Sequence, residues 1–87
     1  MKAHDNGRYF SVTITSDWVR AFMDRWPCSG LTGNPIWAQF DKSNGDLVDL
    51  RHNKEDCDGD AMMALVRDGQ NYAARRLKLP WICRRTD

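Results

Sequence analysis

The stretch IWAQFDKSNGDLVDLR, residues 36–51, decides the fold of this chain. It consists of two alternating segments joined by a polar turn, a pattern typical of a β-hairpin. Ala38 and Phe40 occupy alternate positions before the turn, and Val48 and Leu50 do so after it. Since alternate residues of a strand share a face, we predict that these four apolar side chains lie on the core face of the hairpin.

The length of the turn sets the hairpin register, and a slip of one residue exchanges the two faces. A two-residue turn would place Phe40 opposite Asp49, which mixes core and solvent residues, so we reject it. A three-residue loop at 43–45, with a left-handed glycine in a bulge, places Phe40 opposite Val48 and Ala38 opposite Leu50. The other face then carries Trp37, Gln39, Asp41, Leu47, Asp49 and Arg51.

Two elements precede the hairpin. Residues 9–15 alternate strictly between apolar and polar side chains and predict a half-buried strand. A helix follows, with its N-cap at Thr15 or Ser16. It ends at Trp26, because Pro27 cannot continue it.

A second helix follows the hairpin and is predicted to begin near Ala61, capped by Asp58 or Asp60. Gly69 lies inside it and costs roughly 1 kcal/mol of helix stability relative to alanine, so a close approach to the sheet is the expected reason for it. The predicted buried stripe consists of Met62, Leu65, Val66, Gly69, Ala73 and Leu77.

The resulting order is β-α-β-β-α, which predicts an α+β fold with a three-stranded, mostly antiparallel sheet and both helices on one face. Either edge of the hairpin is open to the first strand. Residues 1–8 are expected to be a flexible N-terminus, 9–79 a single domain and 80–87 a basic C-terminal tail. The predicted core is Phe10, Val12, Ile14, Trp18, Phe22, Ile36, Ala38, Phe40, Val48, Leu50, Leu65, Val66 and Ala73.

Composition limits the classes of function. The 87 residues are enough for one small domain, and a formal charge of +1 provides no overall field for nucleic acid or an anionic membrane. The polar N-terminus has no apolar run of signal-peptide or membrane-spanning length. Three cysteines, an odd number, fit reduced thiols. We therefore expect a soluble, cytoplasmic protein without a membrane partner.

The acidic segment before the second helix invites comparison with a calcium loop. Asp56, Asp58 and Asp60 alternate, but an EF-hand needs glycine at its sixth position and glutamate at its twelfth. Here those positions hold Ala61 and Arg67. The carboxylates are better explained as helix caps.

Other chemistry is also not indicated. The chain has no C-x-x-C or H-x₃-H pair for zinc, no phosphate-binding glycine loop and no nucleophile elbow. Cys28 follows the C-terminus of a helix, where the helix dipole does not stabilise a thiolate. We predict no catalytic residue, no metal and no cofactor, and hence a non-catalytic binding module.

Two surfaces are candidates for binding. The sheet face without helices carries two aromatic side chains among polar ones, which favours a protein interface or a homodimer. Trp37 is expected to lie against the Arg51 guanidinium there. The predicted protein-binding residues are Tyr9, Thr13, Trp37, Gln39 and Arg51.

The alternative is a nucleic-acid-binding surface at the basic C-terminal segment. Its cations would neutralise phosphates while an indole stacks on a base. The competing explanation is a solvated helix end whose cations complement the helix dipole. The residues concerned are Arg75, Arg76, Lys78, Trp81, Arg84 and Arg85.

Four motifs carry a family resemblance: VTIT at 12–15, RWPCSGL at 25–31, GDLVDL at 45–50 and DGDAMMAL at 58–65. Together they resemble short accessory proteins encoded by tailed phages and their prophages, over residues 9–74. The resemblance implies a bacterial host cell but no assigned activity and no site residues. Small phage proteins often bind and redirect a host protein, so a host or phage protein is the expected partner.

Overall fold

The computed structural model describes residues 1–52 and 58–79. A four-stranded antiparallel sheet in the order β1-β2-β3-β4 forms one layer, and two helices form the other. The α+β class is thus confirmed. The elements in chain order are β1 (Lys2–Asp5), β2 (Tyr9–Ile14), α1 (Ser16–Arg25), β3 (Ile36–Asp41), β4 (Leu47–Arg51) and α2 (Gly59–Leu77).

The sheet has four strands rather than the predicted three, and the element order is β-β-α-β-β-α. The additional strand, β1, comes from the segment that we expected to be a flexible terminus. It pairs antiparallel with β2 through a tight turn around Gly7. Gly7 has a φ of 84° and donates its N–H to Asp5 Oδ1 at 2.8 Å, while Asn6 N–H donates to the Tyr9 carbonyl at 2.8 Å.

Strands β2 and β3 form the centre of the sheet. The first predicted strand, β2, therefore pairs with β3 and not with the β4 edge of the hairpin. Phe10 lies opposite Phe40, and Val12 lies opposite Ala38. The two phenylalanine rings stack with centroids 5.1 Å apart, and all four residues are buried. These side chains form the sheet side of the core.

The β3–β4 hairpin confirms part of the predicted register. Ala38 lies opposite Leu50, and Gly45 is left-handed with a φ of 78°. Phe40, however, lies opposite Leu47 and not Val48, because a bulge interrupts the ladder between Gln39 and Phe40. Val48 was therefore wrongly assigned to the core and is 47% exposed.

The turn of this hairpin is one residue longer than predicted. Asp41 N–H donates to the Asp46 carbonyl at 2.9 Å, so four residues lie between the closing pair. The Asp41 carboxylate accepts from both the N–H and the hydroxyl of Ser43, at 2.8 and 2.7 Å. These local bonds favour the longer loop. Because the loop is longer, the pairing of β3 with β4 is shifted by one residue between the loop and the bulge.

Helix α1 ends as predicted, with Trp26 at its C-cap. It buries Val19 and Phe22 in the same core cluster as the sheet residues. Trp18 was predicted to be in the core and is instead 38% exposed. Val19, one position along, takes the core position at the start of the helix.

Helix α2 begins at Gly59, and the Asp58 carboxylate caps it by accepting from Asp60 N–H at 3.2 Å. Gly69 lies at a point where α2 comes very close to the sheet. A Cβ built on Gly69 would come within 3.2 Å of Ile14 Cδ1 and 3.3 Å of Val12 Cγ1. The predicted reason for Gly69 is confirmed, and both helices cover the face of the sheet that carries Val12. The buried apolar residues of the described chain that the predicted core left out are Val19, Ala61, Met62 and Ala74.

Candidate functional site

The candidate site is the sheet face that the helices do not cover, which we call the open face. Side chains alternate along β2 and β3, so the residues between the core positions point to it. Thr13 lies opposite Trp37 and Ser11 lies opposite Gln39. The open face consists of Lys2, His4, Tyr9, Ser11, Thr13, Trp37, Gln39, Asp41, Asp49 and Arg51.

One end of the open face is organised around Trp37. The residue opposite it on β4 is Arg51, whose guanidinium carbon lies 4.9 Å from the centroid of the indole ring. The predicted contact is confirmed. Asp49 also contacts this guanidinium, with Oδ2 3.3 Å from Arg51 Nε. Arg51 thus contacts both the indole and a carboxylate on the open face.

The second aromatic residue, Tyr9, lies at the far end of β2. The Arg8 guanidinium carbon is 5.7 Å from the centre of its ring. Trp37 lies opposite Thr13, four residues along β2 from Tyr9, which separates the two aromatic residues by about 13 Å along the strand direction, at 3.3 Å per residue. The open face therefore has two anchors, each an aromatic ring beside an arginine.

Between the two aromatic anchors the open face carries polar side chains. Ser11 is only 9% exposed, and its hydroxyl accepts from Asn6 Nδ2 at 3.3 Å. Its neighbours on the adjacent strands are His4 and Gln39.

Sequence reasoning missed Lys2 and His4, which lie opposite Thr13 and Ser11 on the open face. Lys-Ala-His-Asp has one apolar residue and is too short for a periodic pattern. The signal that would have found the strand is Gly7, because glycine at the first position of a two-residue loop is typical of tight hairpin turns, and an alternating segment follows it shortly.

The charges on the open face are mixed. Lys2 and Arg51 are cationic, while Asp41 and Asp49 are anionic. Hydrogen bonds from the Ser43 hydroxyl and N–H hold the pKa of Asp41 below its usual range, so this carboxylate is ionised at neutral pH. The open face therefore carries charges of both signs.

Three of the six residues predicted for the alternative, basic site lie within the described part of the chain. Arg75, Arg76 and Lys78 are exposed at the C-terminal end of α2, where Lys78 is left-handed. Arg76 lies over the Tyr72 ring, at 5.8 Å from its centroid, and donates to its hydroxyl at 3.3 Å. The other predicted residues, Trp81, Arg84 and Arg85, lie outside the described residues.

Within residues 1–52 and 58–79 we find no group of three or more His, Cys, Asp or Glu side chains close enough to hold a metal ion. Asp58, part of the rejected calcium loop, is used as the cap of α2. Cys28 is an exposed free thiol in the loop after α1. No helix in the described part of the chain is both long and apolar enough to cross a bilayer.

Comparison of the chain with protein-family models, with curated proteins and with solved structures finds no match.

Proposed function

We propose that this chain is a non-catalytic accessory protein of a phage or prophage that binds a host or phage protein through the open face, in the cytoplasm of a bacterial host. The observation that carries the proposal is the pair of aromatic anchors, Tyr9 and Trp37, on the sheet face that lacks helices. Large aromatic side chains and arginine are the residue types most enriched where proteins bind one another.

The Trp37 anchor is prepared for binding before a partner arrives. Asp49 and the indole contact Arg51, at 3.3 and 4.9 Å, which reduces the side-chain freedom that binding would otherwise remove. The flat indole and guanidinium offer apolar area together with outward N–H donors. Thr13 and Gln39 flank this cluster with further hydrogen-bonding groups.

The proposed setting depends on the four motifs that resemble phage-encoded accessory proteins. Each of them occupies a defined place in the fold. VTIT covers the end of β2 and the N-cap of α1, RWPCSGL includes the C-cap of α1, GDLVDL covers the end of the turn and most of β4, and DGDAMMAL begins α2 with its capping aspartate. The resemblance thus concerns residues that build the fold. The partner is inferred from the open face.

The experiment is capture of proteins by the immobilised chain from a bacterial lysate, with and without nuclease treatment. We expect a defined protein to be retained in both samples. Replacing Tyr9 and Trp37 by serine should abolish its capture, because both anchors are removed. Trp18→Ser is the matched control, since it removes an exposed indole from α1 without touching the open face.

The thermal unfolding of all variants is measured first, so that loss of binding is not confused with loss of fold. Capture that survives in a folded Tyr9→Ser, Trp37→Ser double variant contradicts the proposal. Equal loss with Trp18→Ser contradicts it too, since binding would then involve the helical layer.

A second candidate function, nucleic-acid binding, is favoured by the exposed cations at the end of α2. Arg75, Arg76 and Lys78 form no salt bridge with any described residue, so their charge is available to phosphates. Binding to a labelled oligonucleotide should weaken steeply with salt, and each alanine substitution that removes a cation from a phosphate should reduce the logarithmic slope by about 0.9. Retention of nucleic acid only in the untreated lysate supports this candidate, and a salt-independent signal opposes it.

A further inference from the structure

We propose that two copies of this chain associate through their β4 edges, antiparallel and about a two-fold axis at Leu50, to form one continuous eight-stranded sheet. The backbone contacts of this interface lie at the β4 edge, and the proposal is tested on the purified chain alone, without the partner of the open face. The strand that pairs with the β4 edge is therefore β4 of a second copy of the chain.

Strand β4 is an outer strand of the sheet, so one side of its backbone has no partner strand in the described chain. Asp41 N–H bonds toward β4, and ladder bonds alternate along a strand, so Gln39 and Trp37 also bond toward β4. Their partners are Asp49 and Arg51. The N–H and C=O of Leu50, between them, consequently point away from the sheet and can pair with another strand.

The same edge carries an exposed apolar patch. Leu47, Val48 and Met63 are 37%, 47% and 52% exposed, and only one other large hydrophobic residue of the described chain, Trp18, is comparably open. A groove of about 220 Å³ separates Leu47 of the strand from Met63 and Val66 of α2. An apolar patch beside a strand edge favours burial by association.

The bulge at Val48 limits where a new strand can add. It interrupts the regular spacing of the ladder before Asp49, so an uninterrupted ladder can form only over Asp49, Leu50 and Arg51. Leu50 is the middle of these three residues and the one whose backbone groups point outward. A two-fold axis at Leu50 therefore exchanges two hydrogen bonds between the copies.

Charge complementarity selects the same register. With the axis at Asp49, the two Asp49 carboxylates would face each other, and with the axis at Arg51 the two guanidinium groups would do so. With the axis at Val48, each carboxylate would lie opposite Leu47. With the axis at Leu50, Asp49 of each copy lies opposite Arg51 of the other, on the open face. Of these four registers, only the one with its axis at Leu50 places each charged residue opposite a residue of opposite charge.

The test uses charge reversal and mixing, followed by sedimentation equilibrium over a range of concentrations. Asp49→Arg gives two cations and Arg51→Asp gives two anions, so each variant alone should dimerise about tenfold or more weakly than the parent. Mixed in equal amounts, they place opposite charges across the axis again and should form a heterodimer. The Asp49–Arg51 contact within each strand stays broken in both, so recovery reports the contact between copies.

Circular dichroism confirms that each variant is folded before mixing. A parent chain that remains monomeric up to about 1 mM overturns the proposal, because even weak interfaces associate at that concentration. A mixture that dimerises no better than its components also overturns it. Dimerisation of the parent, weaker dimers of both single variants and recovery in the mixture support the pairing of Asp49 of one copy with Arg51 of the other.

Discussion

The close approach of α2 to the sheet at Gly69 allows a quantitative prediction. The substitution Gly69→Ala would place a Cβ 3.2 Å from Ile14 Cδ1 and 3.3 Å from Val12 Cγ1. These distances are a few tenths of an ångström shorter than ordinary contact. Because both neighbours belong to a central strand and are fully buried, neither can move toward solvent.

Two effects oppose each other in this substitution. Alanine favours the helix by about 1 kcal/mol relative to glycine. Overpacking a well-filled core costs about 1–3 kcal/mol. We therefore expect Gly69→Ala to lower the free energy of unfolding by about 1 kcal/mol, and the larger, branched Gly69→Val to lower it by about 3 kcal/mol.

The assay is equilibrium unfolding in urea, with Gly59→Ala as the matched control. Gly59 is also in α2, but nothing lies within 4 Å of a Cβ built there. The control should gain about 0.4–1 kcal/mol because only its unfolded state is restricted. If Gly69→Ala is stabilised as much as Gly59→Ala, the helix and sheet are not in close contact at this point, and the proposed reason for Gly69 is refuted.

Three further predictions concern the sheet and its turns. Phe40→Ala should lower the free energy of unfolding by about 3–5 kcal/mol, because it removes a buried ring that stacks on Phe10; a melting temperature equal to that of the parent would contradict its core position. Gln70→Ala removes the side-chain donor to the Gly45 carbonyl and should cost about 1 kcal/mol, and faster amide exchange confined to the β3–β4 hairpin would identify the cause. Hydrogen bonds from Lys42 and the Gly7 N–H lower the pKa of Asp5, so its stabilising effect is present at neutral pH and is lost as the pH falls through the lowered value. Asp5→Asn should therefore melt below the parent at pH 7 and converge with it in acid, and a constant difference across the titration would be inconsistent with this ion pair.

The candidate site was partly accessible from sequence. Strict alternation in β2 and β3 was enough to place Tyr9, Thr13, Trp37 and Gln39 on one face, because the side-chain period of a strand is two. The contact of Trp37 with Arg51 followed from the hairpin register at its open end, which the bulge does not reach. The contribution of β1 was not predicted, since its four residues carry no periodic apolar signal.

What the sequence by itself determined is the set of elements with strong local signals: two helices with caps and stops, the strands around the core, and the reason for Gly69. These depend on periodicity, proline, glycine and capping side chains, which act over a few residues. Tertiary structure decided what the local signals left open: that β1 pairs with β2, that Trp18 is exposed while Val19 is buried, and that Val48 lies outside the core. The first two depend on packing within the folded domain, whereas the third follows from the longer turn, whose hydrogen bonds are local.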